Sequence, residues 1–210
     1  MGSPQRIIII LLPSSFHYHN HYQHQVASYH GHTQCVRALI DEGFLVDSKD
    51  FKGFTALHLA AIAGHTECIR ALLDNNANID IQNSMGKTPL FVACSQNHHE
   101  CVNVLLMKGA NLETREKNGL TTLHIATKVG SLECVQLLIK KGADVESRSK
   151  LGNTALILAS GAGHFECVDA LIVKEASVSS KNRNRSTALS KAVVKNHNDI
   201  ISLLIRNGAC

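Results

Sequence analysis

Tryptophan is absent from this sequence, proline occurs three times, and aromatic residues make up only 4% of 210 positions. β-Sandwiches and barrels draw on aromatic and β-branched residues, so this scarcity argues against them and for helices. Long apolar runs are missing too. The longest, Ile7–Leu12, has six residues, against the roughly 20 that a membrane-spanning helix needs. It is also short for a secretory h-region, ends at Pro13 and runs into a His-rich stretch where a cleavage site would lie. Met1-Gly2 invites N-myristoylation, but Arg6 stands where that motif wants Ser or Thr. Residues 1–25 are therefore expected to form a poorly ordered, His-rich tail. Nor does one charge dominate: 21 Lys and Arg face 17 Asp and Glu, net +4, in a chain that is 44% hydrophobic. That balance excludes wholesale disorder and is too small to imply nucleic acid.

What the sequence does have is a period. Cys35, Cys68, Cys101, Cys134 and Cys167 follow one another at intervals of 33 residues. The same interval links Gly53, Gly86, Gly119 and Gly152, and Thr55, Thr88, Thr121, Thr154 and Thr187. Leu57, Leu90, Leu123, Leu156 and Leu189 share it, as do Ala27, Ala60, Ala93, Ala126, Ala159 and Ala192. Self-similarity at a fixed interval of this size marks a stacked repeat array and excludes two independent globular domains. The units run over 50–82, 83–115, 116–148, 149–181 and 182–210, behind a degenerate leading unit at 26–49.

One unit is legible in detail. Asp50-Phe51-Lys52-Gly53 is turn chemistry, with Gly53 able to take positive φ. Thr55 can cap a short helix over Ala56–Ile62 whose Leu57, Ala60 and Ala61 form one apolar stripe. Gly64 ends it, and a second helix over Thr66–Asn75 sets Cys68, Ile69, Leu72 and Leu73 on one side. Pro89, directly after its Thr88 cap, suits a first helical position. In the leading unit Tyr22 and His24 occupy the threonine and leucine columns, which argues against a first helix there.

Gly53-Phe54-Thr55-Ala56-Leu57-His58-Leu59-Ala60 with Gly64-His65, Gly86-Lys87-Thr88-Pro89-Leu90, Gly119-Leu120-Thr121-Thr122-Leu123-His124, and the tails Lys108-Gly109-Ala110, Lys141-Gly142-Ala143 and Asn207-Gly208-Ala209 resemble the ankyrin repeat. The likeness covers 27–210, and the recurring His-x-Glu-Cys-Val string is similar to that of the ankyrin subunits that regulate protein phosphatase 6. It implies an all-α solenoid of helix-turn-helix units joined by β-hairpin-like turns, and a non-catalytic scaffold or adaptor, such as a regulatory or targeting subunit. It further implies that His58 and His124 bridge backbone groups between repeats. Departures are plain: Arg185 stands in the glycine column and Ser190 in the histidine column of the last unit.

Three constellations could carry chemistry. The cysteine ladder is the first. Equivalent helices pack about 8–10 Å apart, beyond the roughly 7 Å Cα separation a disulfide tolerates, so these cysteines are expected as buried, reduced thiols and point to a cytosolic or nuclear setting. Cys94 and Cys210 fall outside the ladder. Second, His65-Thr66-Glu67-Cys68, His98-His99-Glu100-Cys101 and His164-Phe165-Glu166-Cys167 look like the His-x-Glu of zinc deaminases, but no Pro-Cys-x-x-Cys segment accompanies them. Recurrence at the repeat period reads as scaffold, so no enzyme, metal or cofactor is expected. Third, His17, His19 and His21, with His24, His30 and His32 nearby, could chelate a metal weakly, although a solvated tail explains them better.

The remaining resource is surface. By resemblance, partners meet the hairpin tips and the exposed end of the first helix, on the concave side. Carried over column by column, 25 positions result, seven of them basic and none acidic. Phe51, Lys52, Phe54, Ile62, Met85, Lys87, Lys117, Leu120, Lys128, Val129, Lys150, Leu151, Arg183 and Lys195 are the candidate partner-binding residues. A cationic face with apolar anchors suits an acidic protein segment carrying hydrophobic side chains. Residues 174–210 hold +5, leaving −1 for the rest, so a nucleic-acid-associated factor using the basic C-terminal repeats is the alternative, short of stacking aromatics. A protein partner, no membrane and a monomer are the expectations.

Overall fold

The computed structural model describes residues 23–210. Among them lie twelve α-helices and no strand, in six helix-turn-helix units. The units comprise α1 (Gln23–Tyr29) and α2 (Thr33–Asp41), α3 (Ala56–Ala63) and α4 (Thr66–Asp74), and α5 (Pro89–Ser95) and α6 (His99–Met107). After these come α7 (Thr122–Val129) and α8 (Leu132–Lys140), α9 (Ala155–Ala162) and α10 (Phe165–Val173), and α11 (Ala188–Val194) and α12 (Asn198–Arg206). None of them is long and apolar enough to cross a membrane.

The capping chemistry decides where each helix begins and ends. Thr55 accepts from the His58 N–H, and Thr88, Thr154 and Thr187 do the same for the residue three positions on. Gly64, Gly130 and Gly163 close α3, α7 and α9 in the left-handed conformation that a side chain resists. Pro89 takes the first helical position of α5. The expected helices of the second unit differ from the observed ones by one residue at each C-terminus, Ala63 staying helical and Asn75 becoming the cap.

Two layers follow. First helices touch first helices along the stack, second helices touch second helices, and each pair closes on itself. Between the layers lie Leu57, Leu90, Leu123 and Leu156 from one side and Ile69, Leu72, Leu105, Leu138, Leu171 and Leu204 from the other, all buried. Burying each contributes about 1.5–3 kcal/mol. Ala60, Ala93, Ala126, Ala159 and Ala192, fully buried, hold the first helices close because nothing larger than a methyl group intervenes.

The leading unit corrects one expectation. A first helix does form, beginning at Gln23 inside the segment assigned to the tail, and it packs on α3. His24 fills the leucine column and is 1% exposed, beside Ala27 and Ser28. Gln25, in the histidine column, donates its amide to the Ser48 and Phe54 carbonyls at 2.8 and 3.0 Å, tying this unit to the next. Tertiary contact thus supplies what the local signals lack. His17, His19 and His21 lie outside the described residues; His30 and His32 stack at 6.0 Å.

Candidate binding face

Each connecting turn is a tight hairpin. In the second unit the Asp50 N–H donates to the Phe54 carbonyl at 2.9 Å, while its carboxylate accepts from the Lys52 and Phe54 N–H groups at 2.8 Å each. Asn83, Glu116 and Asn182 repeat this cradle. Neighbouring hairpins are then joined tip to tip. Ser84, Lys117, Lys150 and Arg183 donate their N–H groups to the Lys52, Met85, Asn118 and Leu151 carbonyls at 2.9–3.0 Å. The approach is so close that a Cβ on Gly53 would sit 2.7 Å from the Ser84 nitrogen.

Side chains bolt the units together behind the tips. His58 Nε2–H donates to the Lys87 carbonyl at 2.9 Å, and His124 Nε2–H to the Asn153 carbonyl at 2.9 Å. Nδ1 of each is then free to accept from its Thr55 or Thr121 N–H. Both therefore bridge repeats, as the resemblance implied. Burial pushes the His58 pKa down to about 4 and lowers that of His124. A second row uses long side chains: Lys49 reaches the Gln82 carbonyl, Gln82 the Arg115 carbonyl, Arg115 the Arg148 carbonyl and Arg148 the Lys181 carbonyl, at 2.7–3.4 Å. This row was not legible beforehand, because a carbonyl accepts from any donor that can reach it.

The candidate residues come together in three bands. Phe51, Lys52, Met85, Lys117, Lys150, Leu151 and Arg183 are exposed on the tips. Phe51 is 85% exposed, Leu151 62% and Met85 49%. Phe54, Lys87 and Leu120 sit half-buried on the returning arms, Phe54 edge-on to the His58 ring at 5.6 Å. Ile62, Lys128, Val129 and Lys195 lie at the C-terminal ends of first helices, Lys128, Val129 and Lys195 exposed. The Ile62 and Lys128 carbonyls are held by His98 and His164 of the following unit at 2.9 and 3.1 Å.

Charge on this face is not neutralised from within. The acids of the turns, Asp50 and Glu116, accept from turn N–H groups and form no ion pair among the described residues. Ion pairs among the described residues are Arg70 with Glu67 and Lys108 with Asp74, both elsewhere. Lys52 lies over Phe51 at 5.3 Å and Lys87 over Phe91 at 5.6 Å. Acids gather instead at the second-helix N-termini, as Glu67, Glu100, Glu133, Glu166 and Asp199, where the helix dipole favours them.

The other constellations are absorbed by the scaffold. His65, His98 and His164 donate across to the previous unit, so the three His-x-Glu-Cys strings hold repeats in register. Cys68, Cys94, Cys101, Cys134 and Cys167 are buried, Cys35 half-buried and Cys210 exposed, all as free thiols. Burial raises the pKa of Cys68, Cys101 and Cys94, and that of Cys167 to about 11, so these sulfurs stay protonated. Cys134 Sγ–H donates to Asn97 Oδ1 of the preceding unit at 3.9 Å. Among the described residues no group of three or more His, Cys, Asp or Glu could hold a metal ion.

A search of curated proteins finds no match. The family model for ankyrin repeats in three copies matches residues 7–83, 23–116, 76–149 and 123–210. With these matches laid over the chain four times in overlapping register, and the observed units following the same period, the chain belongs to the ankyrin-repeat family.

Proposed function

We propose that this chain is a non-catalytic adaptor that binds an acidic protein segment bearing apolar side chains through its hairpin tips and first-helix ends. Ankyrin repeats are generally protein–protein interaction modules. One observation carries the finer reading: six exposed cations, Lys52, Lys117, Lys128, Lys150, Arg183 and Lys195, lie on the hairpin tips or first-helix ends, with Phe51, Met85 and Leu151 exposed on the tips, and none of the six forms an ion pair among the described residues. Unpaired cations steer an anionic segment to the face, and exposed apolar side chains supply the contact energy that charge in water does not. Interaction through side chains on a row of equivalent positions also suits a repeat stack, whose units present the same surface again and again.

Selection from a random peptide-display library tests this. Enriched sequences are expected to be rich in Asp and Glu with interspersed Leu, Phe or Met. Enrichment of basic or uncharged sequences overturns it.

A further inference from the structure

The hairpin tips set a ruler for whatever lies on them. Within a hairpin the two arms are hydrogen-bonded, as from the Asn83 N–H to the Lys87 carbonyl at 3.0 Å. Successive hairpins are hydrogen-bonded as well, as from the Ser84 N–H to the Lys52 carbonyl at 3.0 Å. Each unit thus adds two bonded arms, and at about 4.8 Å per arm the tips recur about every 9.6 Å. Helix packing gives the same scale independently, about 8–10 Å.

One column of this ruler is occupied by Phe51, Ser84, Lys117, Lys150 and Arg183, all exposed. It begins with an aromatic ring and ends with three consecutive cations that have no ion pair among the described residues. A ligand reading the column needs side chains that return to one side about every 9.6 Å. A β-strand returns after about 6.6 Å and is out of step within one unit. An α-helix comes closest after seven residues, about 10.5 Å, gaining about 1 Å of error per unit while offering six other residues for each contact. Polyproline II returns every third residue, after about 9.3 Å.

We infer that the tip row takes a partner segment in polyproline II conformation, with a carboxylate at every third residue opposite Lys117, Lys150 and Arg183 and an apolar side chain six residues from the nearest of them, opposite Phe51. This rests on the acidic-segment reading above and adds conformation and register to it. Such a segment arrives with its backbone already extended, so little conformational freedom is lost on docking. Ser84, small and uncharged, faces the one contact position that is neither acidic nor anchoring.

Fluorescence anisotropy on the full chain tests the register. The probes are labelled 13-residue peptides with one Leu and three Glu in Pro- and Gln-rich spacers, made in both chain directions. In one set the Glu residues recur every third position, starting six from the Leu; in others of the same composition they recur every second or fourth, and a longer helical peptide carries them every seventh. The three-spaced set is expected to bind about ten-fold tighter than the others, each misplaced charge costing up to about five-fold. Lys150→Glu, and more mildly Lys150→Ala, should remove that advantage with the helical CD signal intact. Phe51→Ala should weaken all spacings alike. Equal affinity for all spacings, or tightest binding of the helical peptide, overturns the register while the acidic-segment reading stands. Failure of every acidic peptide to bind overturns both.

Discussion

Asn97 and Ser131 stand together where the other junctions pair a glycine with a histidine. Gly31 lies under His65, Gly64 under His98, Gly130 under His164 and Gly163 under His197, each so close that a Cβ would fall 2.5–2.9 Å from the ring. Asn97 keeps the same left-handed turn, φ 59°, but carries a side chain. The space for an imidazole is gone, and the smaller Ser131 reaches the Cys94 carbonyl instead, at 3.4 Å. Ser131→His alone is therefore expected to overpack the junction and cost about 1–3 kcal/mol. Asn97→Gly with Ser131→His should recover most of that loss. Chemical denaturation of the two single variants and the double variant checks it: additive effects, with no coupling of about 1 kcal/mol, contradict the pairing.

His58 makes stability depend on pH. Its folded pKa, about 4, lies below the ordinary 6.5, because burial first, and then the Lys49 charge, favour the neutral ring. A depressed histidine pKa stabilises fully above pH 6.5, and the contribution is lost as pH falls from there through about 4. The size is about 3 kcal/mol, and His124 and His24, also lowered, act in the same direction. Melting temperature should thus drop between pH 7 and pH 4. His58→Gln, which copies the bridge that Gln25 makes in the leading unit, should flatten the profile. An unchanged slope in that variant rules out His58 as its source.

His24 is the core position most open to improvement. It is buried in a column of leucines, and neither ring nitrogen has a hydrogen-bond partner among the described residues. His24→Leu should stabilise the leading unit by about 1–3 kcal/mol, through relief of two desolvated nitrogens and gain of apolar contact. Hydrogen exchange of α1 amides is the measurement. Faster exchange in the variant would contradict this reading.

These three sites show why sequence alone carried the repeat further than the junctions. Columns of Thr, Leu, Ala and Gly recur because a cap, a core contact and a left-handed turn each admit few residue types. Thr55, Leu57, Ala60 and Gly64 were legible for that reason. Junction contacts are looser: Gln25 does the work of His58, Lys49 that of Arg115, and Asn97 with Ser131 that of Gly64 with His98. A bridge to a carbonyl can be built from several side chains, so its column varies and its partner unit cannot be read from one sequence. Exposure on the tips was legible because Phe51 and Lys150 sit at turn positions that no neighbouring unit covers. That the turn carboxylates of Asp50 and Glu116 accept from turn N–H groups and form no ion pair with the cations among the described residues emerged only from the fold.

The most direct measurement is charge reversal on that face. Lys117, Lys128 and Lys150 are changed together to Glu, and binding of the tightest acidic peptide from the display selection is followed by titration calorimetry. Affinity is expected to fall at least about thirty-fold, with the helical CD spectrum and melting temperature retained, since these side chains are exposed and unpaired among the described residues. Undiminished binding by the folded triple variant would contradict the assignment of the tips and first-helix ends as the binding face.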